Sequence, residues 1–324
     1  MCTAMTYKTK DHYFGRNMDF EFSYQETVTV TPRNFPFHFR KMPSITKHYA
    51  MIGMAYVVAD YPLYYEATNE KGLSMAGLNF PGNTDYKPEA DGKDNVTPFE
   101  FIPWILSQCA DIAETKSLLE RINLVKINFS EELPLSPLHW IISDKECSIT
   151  VECVKEGLKI YENPVGILTN NPPFDYHMLH LSDYMMLSKE APQNNFAKGV
   201  DMQIYSRGMG AMGLPGDYSS ASRFIKAAFV KMNALSAEDE VSSVNQFFHM
   251  LDAVAQLRGC VHMGKEMYEI TIYSSCCNTD KGIYYYTTYE NREIVGVDMH
   301  KENLEAAELA SYPLKKCNGF CIDN

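Results

Sequence analysis

The chain has 324 residues, with 29 Lys and Arg against 41 Asp and Glu, which gives a formal net charge of −12. Hydrophobic residues make up 45% and charged residues 22%, a globular composition that excludes a disordered, collagen-like or disulfide-scaffold protein. The acidic balance argues against a nucleic-acid partner, because nucleic-acid-binding proteins carry a basic patch. No apolar run approaches the roughly 18 residues of a membrane span, so we expect no membrane partner.

The first quarter of the chain predicts antiparallel strands. Alternating or β-branched runs mark strands at residues 3–7, 12–18, 27–31, 49–58, 63–68 and 73–78. A short turn at Thr9-Lys10-Asp11 joins the first two strands, and Asn69-Glu70-Lys71-Gly72 joins the last two. The polar, turn-rich stretch 81–98 predicts a loop inside one domain.

Blocks of helices and strands follow. Helical spacing predicts helices at 99–109, 112–122, 174–187 and 244–257, and a further helix capped by Ser219 or Ser220. Strand patterns return at 138–143, 148–154, 158–161, 269–274, 282–288 and 294–298. Because the elements come in blocks and no linker or repeat divides them, we expect one α+β domain over residues 1–324, with helices packed on antiparallel sheets.

The N-terminus and the cysteines predict a cytoplasmic protein. No basic segment followed by an apolar one begins the chain, so the sequence predicts no secretory signal. The nine cysteines are an odd number and widely scattered, which is typical of reduced thiols and not of a disulfide framework. Cys276-Cys277 and Cys317-Cys321 match no standard zinc spacing, so we expect neither a metal nor a cofactor.

Position two carries the most informative residue. Cys2 follows the initiator Met1, and a small residue there favours removal of Met1, which would leave Cys2 with both a thiol and a free α-amine. The reference pKa values of these groups, about 8.5 and about 7.7–8.0, lie near working pH. A terminal amine beside its own nucleophile is a recognised means of activating that nucleophile.

The first hairpin brings charged residues to Cys2. If its turn is tight, facing residues have numbers that sum to about 20, so Cys2 faces Met18 and has Arg16 as a diagonal neighbour on the same face. A guanidinium there favours the thiolate, and Asp19 at the end of the hairpin is placed to orient the α-amine. A slip of one residue would move Arg16 to the other face.

Six ordered segments resemble the choloylglycine hydrolase family, which groups bile salt hydrolases and penicillin V acylases. They are MCT at 1–3, FGRNMD at 14–19, NEKGL at 69–73, AGLNFP at 76–81, LTNNP at 168–172, and GLPGD at 213–217 with SRF at 222–224. Together they extend over nearly the whole chain, so the resemblance is far more specific than any single motif.

This resemblance implies an N-terminal-nucleophile hydrolase with a four-layer αββα fold, in which two stacked antiparallel sheets lie between helical layers. It implies that Cys2 is the nucleophile and, through its amine, the base, with Arg16 and Asp19 beside it. The remaining implied catalytic residues are Asn79, Asn170 and Arg223. The two asparagines would stabilise the oxyanion and the arginine would supply electrostatic support. Taken singly, the asparagines could be turn residues and the arginine a salt-bridged helix residue.

The residue type at position 79 makes the sequence resemble the bile salt hydrolase branch of the family, which has Asn at this position, whereas many penicillin V acylases have Tyr. The expected substrates are glycine- or taurine-conjugated bile acids, and amines could intercept the same acyl-enzyme. Ser206-Arg207-Gly208 resembles the version found in hydrolases that favour taurine conjugates. Two alternatives stay open, a penicillin V acylase-like amidase and a non-catalytic binder of sterol or acyl ligands. The resemblance also implies a homotetramer in the cytoplasm of a gut bacterium.

A bile salt is a rigid apolar sterol with an anionic tail, so its site needs an apolar groove with a few polar anchors. The residues expected to line the sterol groove are Met18, Phe20, Phe22, Tyr24, Leu133, Leu135 and Leu138. Core packing explains any one of them equally well, although Pro134 and Pro137 disfavour a buried helix or strand in that loop. Arg207 is the expected partner of the anionic tail.

Overall fold

The computed structural model describes residues 1–317, 319 and 322–323. The strands of this part are, in chain order, β1 (Cys2–Lys8), β2 (His12–Phe20), β3 (Thr27–Thr31), β4 (Met51–Val58), β5 (Tyr61–Asn69), β6 (Ser74–Asn79), β7 (Asp94–Val96), β8 (Ile122–Leu124), β9 (Leu138–Ser143), β10 (Ser148–Val154), β11 (Gly157–Glu162), β12 (Ile167–Leu168), β13 (His262–Gly264), β14 (Met267–Tyr268), β15 (Ile270–Asn278), β16 (Ile283–Thr288), β17 (Val295–Asp298) and β18 (Ala310–Pro313). The α-helices are α1 (Phe101–Leu106), α2 (Ile112–Leu119), α3 (Phe174–His180), α4 (Ser220–Asn233) and α5 (Glu240–Asp252). Short 3₁₀ turns lie at Pro98–Glu100, Leu181–Tyr184, Met209–Ala211 and Met299–Lys301.

Two large antiparallel sheets form the centre of the fold. One has six strands in the order β12-β1-β2-β15-β16-β17, and the other has eight in the order β11-β10-β9-β6-β5-β4-β3-β18. The central strands β1 and β2 of the first sheet pack against β6 of the second. Helix α1 packs on β5 and β6, whereas α4 and α5 pack on β1 and β15. The result is the four-layer αββα arrangement, which confirms the predicted fold class.

Apolar side chains fill each interface between layers. One buried cluster joins α1 and α2 to the eight-stranded sheet and includes Phe101, Trp104 and Trp140. A second joins α4 and α5 to the six-stranded sheet and includes Phe224 and Phe247. Because apolar residues on both faces of each sheet are buried, the strands that carry the N-terminal residues lie in the interior of the fold.

The first hairpin has the predicted register. Cys2 pairs with Met18, and Ala4 pairs with Arg16, so Cys2 and Arg16 lie two residues apart on the same face of the sheet. Gly15 allows β15 to approach β2 closely, because a Cβ atom there would lie 1.9 Å from the Ser275 carbonyl oxygen. The short turn therefore determines the pairing of β1 with β2, and Gly15 allows β15 to pair closely on the other side of β2.

The predicted helices differ from the observed ones at their ends. The helix predicted at 99–109 is shorter, because a 3₁₀ turn at Pro98–Glu100 precedes α1 and α1 ends at Leu106. The helix predicted at 112–122 ends at Leu119, because β8 pairs in parallel with β7. That same pairing places a strand inside the stretch 81–98, which the sequence predicts to be a loop.

Two further helices and two sheet regions also depart from the prediction. Helix α3 ends at His180 and is followed by a 3₁₀ turn, not by α-helix to residue 187. Helix α5 begins earlier than predicted, because the Asp239 side chain accepts a hydrogen bond from Ser242 N at 2.9 Å, and it ends at Asp252. The sequence does not predict the β13–β14 hairpin or the edge strand β18, which pairs with β3.

No helix among the described residues is long and apolar enough to cross a bilayer. Within the same residues, no group of three or more His, Cys, Asp or Glu side chains is arranged to hold a metal ion. Of the cysteines considered as ligands, Cys321 lies outside the described residues.

Candidate active site

Cys2 lies at the start of β1 and lines a cavity of about 510 Å³ to which both large sheets contribute. Its side chain is buried, and Sγ lies 3.9 Å from the sulfur of Met18, its partner across the hairpin. The thiol therefore lies at a cavity large enough for an organic ligand.

Two residues from distant parts of the chain hold the backbone of Cys2. The Asn170 side chain, which follows β12, accepts a hydrogen bond from Cys2 N at 2.7 Å. Arg223, in the first turn of α4, donates to the Cys2 carbonyl oxygen at 2.6 Å and to Asn170 Oδ1 at 2.8 Å. Asn170 Nδ2 in turn donates to the Asn79 carbonyl oxygen at 2.8 Å. The structure thus brings together four of the six predicted catalytic residues in one hydrogen-bonded group.

Asn170 is itself held firmly. Its backbone N donates to Ser220 Oγ at 2.8 Å, and its carbonyl oxygen lies 2.9 Å from Nε2 of His177. Burial lowers the pKa of His177 to about 4, so the ring is neutral near pH 7 and Nε2–H donates this bond. These contacts fix the side chain of Asn170 against the N-terminus of β1.

Arg16, the fifth predicted residue, is fully buried beside Cys2. Its Nη1 donates to the Gly77 carbonyl oxygen at 2.6 Å and to that of Tyr65 at 3.2 Å. Glu66 lies 3.7 Å from Nη1. Burial opposes the charge on Arg16, but the acidic groups around it, Cys2 foremost, outweigh burial and raise the pKa of Arg16. A permanent positive charge therefore faces the nucleophile.

Glu66 is a buried carboxylate that the sequence analysis missed. It accepts hydrogen bonds from Tyr273 at 2.8 Å, from Tyr284 at 2.5 Å and from Ser275 at 3.1 Å. Burial raises the pKa of Glu66, and Arg16 is the strongest influence in the opposite direction. No local motif marks this group, because its four members come from β5, β15 and β16.

Asp19, the sixth predicted residue, has one carboxylate oxygen engaged and one free. Thr271 donates to Oδ1 at 2.6 Å, whereas Oδ2 is buried and has no hydrogen-bond partner in the described part of the chain. Arg223 Nη1 lies 4.0 Å from Oδ2. Burial raises the pKa of Asp19, and the charge of Arg223 opposes that shift. An unpaired carboxylate oxygen at this place is suited to accept an N–H from a terminal amine.

The N-terminus in this structure is that of Met1, so Cys2 N is a peptide nitrogen. The Met1 ammonium donates to the Asp19 carbonyl oxygen at 3.0 Å and forms an ion pair with Glu269. Asp19 N donates back to the Met1 carbonyl oxygen at 3.1 Å. Burial lowers the pKa of the Met1 amine, while Cys2 and Asp19 oppose this shift. The lowered pKa means that an amine in this environment reaches its neutral form, which can act as a base, at a lower pH than a free amine does.

The cavity beyond Cys2 is mostly apolar and aromatic. Six of the residues predicted to bind the sterol line it, namely Met18, Phe20, Tyr24, Leu133, Leu135 and Leu138. Phe22 does not line it but packs on Phe20 and Tyr24, with ring centroids 5.1 and 5.0 Å apart. Arg207 is exposed and is not among the lining residues.

Several lining residues escape the sequence analysis. They include Tyr56, Leu63, Tyr65, Phe99, Ile102, Phe129, Trp140, Met263 and Glu269. They come from β4, β5, β9, β13, α1 and the segments between elements, so only the folded chain brings them together. Alternation along β4 and β5 marks such residues as facing one side of a sheet, but it does not say which side faces a cavity.

At one end of an apolar cavity the site therefore brings together a buried thiol, the backbone nitrogen of Cys2, two asparagine side chains and two buried arginines. Asn79 is exposed and lines the cavity, so its side chain is available to a ligand. Such an arrangement can attack a carbonyl carbon with a thiolate and stabilise the oxyanion that forms.

Comparison with known proteins gives consistent results. The profile of the choloylglycine hydrolase family of linear amide C–N hydrolases matches residues 2–312. A bile salt hydrolase/transferase from Lactiplantibacillus plantarum is 56% identical over 315 residues, 97% of each chain. The crystal structure of a mutant conjugated bile acid hydrolase from Clostridium perfringens superimposes with a TM-score of 0.92 at 39% identity, over 100% of each chain. Penicillin V acylase from Agrobacterium tumefaciens shares the fold, with a TM-score of 0.77 at 18% identity over 97% of this chain and 92% of that one.

Proposed function

The chain belongs to the choloylglycine hydrolase family of linear amide C–N hydrolases, and from this premise we propose that it deconjugates bile acids through a thioester on Cys2. The substrates are glycine- and taurine-conjugated bile acids. The observation that supports this most is the position of Cys2, which lies at an apolar cavity with Asn170 on its nitrogen and Asn79 at the cavity wall. We further propose that residues 1–324 act as one domain from which Met1 is removed.

The first half-reaction forms the acyl-enzyme. Without Met1, the Cys2 α-amine takes the thiol proton and the thiolate attacks the amide carbonyl carbon. The resulting oxyanion is stabilised by the side chains of Asn79 and Asn170, and the positive charges of Arg16 and Arg223 favour the anionic thiolate and intermediate. The C–N bond then breaks, the ammonium gives its proton to the departing nitrogen, and glycine or taurine leaves.

The second half-reaction releases the bile acid. Water attacks the thioester carbonyl carbon while the neutral α-amine takes a proton from it, and the C–S bond breaks to return the thiol. An amine that attacks the thioester in place of water gives an N-acyl product, so acyl transfer uses the same intermediate. Asp19 supports both halves by holding the amine, because its Oδ2 has no hydrogen-bond partner among the described residues and its charge favours the ammonium form of the terminal amine.

The apolar cavity supports a sterol as the acyl group. Its volume of about 510 Å³ falls in the range of sites for drug-sized ligands, and aromatic and leucine side chains predominate in its wall. We assign sterol contacts to the six predicted lining residues, and we assign to Phe22 the support of Phe20 and Tyr24. A cavity lined by these residues favours acyl groups that are large, rigid and apolar.

Purified protein offered taurocholate, glycocholate and penicillin V tests this proposal. We expect free taurine and glycine from the two bile salts at a kcat/KM at least about tenfold above that for penicillin V, a difference of about 1.4 kcal/mol in transition-state binding. Cleavage of penicillin V without cleavage of either bile salt would show that the site takes a different acyl amide as its substrate. Binding of bile salts without release of any amine would make the protein a sterol binder.

Replacing Asn79 by Ala should lower kcat by about 10²- to 10³-fold, because an oxyanion donor is lost. The fold should be unaffected, since this exposed side chain closes no buried contact. Steady-state kinetics with taurocholate and thermal unfolding measure the two effects. Asn245→Ala, at an exposed residue of α5 that does not line the cavity, is the control and should retain full kcat. An unchanged kcat in Asn79→Ala would remove Asn79 from the mechanism.

Arg207 is proposed to attract the anionic tail of the substrate. Its charge lies in the exposed segment 185–212, so we expect Arg207→Ala to lower kcat/KM for taurocholate only a few-fold, as is typical of exposed charges. Added salt should reduce that difference. Lys198→Ala, an exposed cation of the same segment, should leave kcat/KM unchanged. Equal effects of the two variants would contradict a specific role for Arg207.

We propose a homotetramer in the bacterial cytoplasm as the working state, as the resemblance implies, and the same segment offers a surface for such an assembly. Its large apolar side chains are exposed, among them Met185, Met186, Phe196, Tyr205 and Met212. Apolar residues exposed together in this way mark a surface that another protein covers, and we propose that further copies of this chain cover it. Light scattering of the purified protein measures the mass of the assembly.

A further inference from the structure

Glu269 is a buried carboxylate at the active site that the mechanism above does not use. It immediately precedes β15, its side chain is 3% exposed, and it lines the same cavity as Cys2. Its carboxylate forms the ion pair with the Met1 ammonium. In the described structure, therefore, a positive terminal amine compensates the charge of Glu269.

Removal of Met1 moves that positive charge without abolishing it. The terminal ammonium passes from Met1 N to Cys2 N, which is three covalent bonds further along the chain. Standard backbone bond lengths place these two nitrogens within about 3.7 Å of each other. A buried carboxylate that loses its compensating charge is strongly destabilised, so Glu269 requires the new ammonium, which lies within reach of a small side-chain movement.

The number of acceptors matches the number of N–H groups. An α-ammonium has three N–H donors, and Cys2 N already donates to Asn170 Oδ1 at 2.7 Å. Asp19 Oδ2 is buried and has no hydrogen-bond partner among the described residues. Glu269 provides the third acceptor, on the side vacated by Met1. Asn170, Asp19 and Glu269 would then satisfy all three donors.

The charged groups that face this ammonium come from four elements. Asp19 and Arg16 extend from β2, Arg223 from α4, Glu269 from the residue before β15, and the thiol belongs to Cys2 itself on β1. Both arginines disfavour a further positive charge. Glu66 compensates Arg16 at 3.7 Å, and Asp19 lies 4.0 Å from Arg223, so neither carboxylate is left to balance the ammonium fully. Glu269 supplies a further negative charge for it.

We propose that Glu269 is a positioning residue that holds the Cys2 α-amine of the mature enzyme, a role that rests on the proposed N-terminal-nucleophile mechanism. When the amine has taken the thiol proton, Glu269 and Asp19 hold the ammonium beside the thiolate. When the amide C–N bond breaks, that ammonium gives its proton to the departing nitrogen and becomes neutral again. Glu269 changes neither bonds nor protons; it orients the group that does.

Replacing Glu269 by Gln removes the charge and keeps the size of the side chain. A nearby negative charge raises the pKa of an amine, so Glu269→Gln should lower it. Hydrolysis requires the neutral amine, and the acidic limb of the kcat/KM profile follows the pKa of the amine in the free enzyme. We therefore expect that limb to move to lower pH by about one unit.

The experiment compares kcat/KM against pH for wild type, Glu269→Gln and Glu269→Asp, with Glu266→Gln as the matched control. Glu266 is an exposed carboxylate three residues earlier and should leave the limb unmoved. The aspartate variant keeps the charge and should restore most of the wild-type limb, which a merely structural role would not produce. An unmoved limb in folded Glu269→Gln, with loss of Met1 verified by mass, would overturn the proposal.

A second measurement needs no turnover. In Cys2→Ala, a small residue still favours removal of Met1, and the α-amine of residue 2 can be labelled by acetic anhydride as a function of pH. The labelling rate follows the neutral fraction of the amine. Its midpoint should fall by about one unit when Glu269→Gln is added. Equal midpoints would overturn the proposal, and this result is readable even if wild type cleaves no bile salt.

Discussion

Cys2→Ala should lower kcat for conjugated bile acids by at least about 10⁴-fold, because no other group at the site can form the thioester. Cys2 is buried and small, and its removal leaves the backbone contacts to Asn170 and Arg223 in place. We therefore expect the variant to fold and to bind taurocholate with nearly the wild-type affinity. Taurine release and calorimetric binding measure the two properties separately.

Cys277→Ala is the matched control for this substitution. Cys277 is equally buried and lies on β15, but it is not among the residues that line the cavity. Its replacement should lower stability slightly and leave kcat intact. Full taurine release by Cys2→Ala would show that another nucleophile acts, and loss of taurocholate binding in that variant would show that Cys2 is needed for binding and not only for the chemical step.

Arg223→Ala should reduce the free energy of unfolding by about 3–5 kcal/mol, as expected when one partner of a buried charge pair is removed. The guanidinium holds Cys2, Thr3 and Asn170 by hydrogen bonds of 2.6–2.8 Å, and it lies 4.0 Å from Asp19. Without it, the carboxylate of Asp19 is left buried with less compensation. Urea denaturation measures the change, and kcat should fall with it because Asn170 is no longer fixed.

Arg223→Lys and Arg292→Ala separate the contributions to this effect. Lysine keeps the charge but not the forked geometry, so it should recover part of the stability and little of the activity. Arg292 pairs with Asp252 at the surface, and its loss should change stability by less than about 1 kcal/mol. If Arg223→Ala were as stable as Arg292→Ala, the buried pair would have no structural importance.

The sequence predicts the N-terminal hairpin and its neighbours well for a physical reason. A short turn between two strands fixes the register, and alternation then decides which residues share a face. This is why the pairing of Cys2 with Met18 and the place of Arg16 are confirmed. Asn79, Asn170 and Arg223 follow instead from resemblance, because nothing local relates positions so far apart in the chain.

The features that the sequence does not predict depend on packing between distant segments. Glu66 and Glu269 look like ordinary carboxylates in the sequence. The pairing of β2 with β15 brings Glu269 to the N-terminus of β1, whereas Glu66 on β5 reaches Arg16 only because the two sheets stack. The helix predicted at 112–122 is cut short by the pairing of β8 with β7, which local helical spacing cannot indicate. Arg207 lies in an exposed segment and does not line the cavity. Its proposed contact with the substrate tail therefore follows from its charge and not from its place in the fold.

The intact mass of the purified protein, taken before and after incubation with taurocholate while free taurine is measured in the same tube, tests the central claim most directly. We predict a chain that lacks Met1, a transient increase in mass by one cholyl group on Cys2, and release of taurine. A chain that retains Met1 and still releases taurine at full rate would show that the Cys2 α-amine is not the base, and would contradict the mechanism.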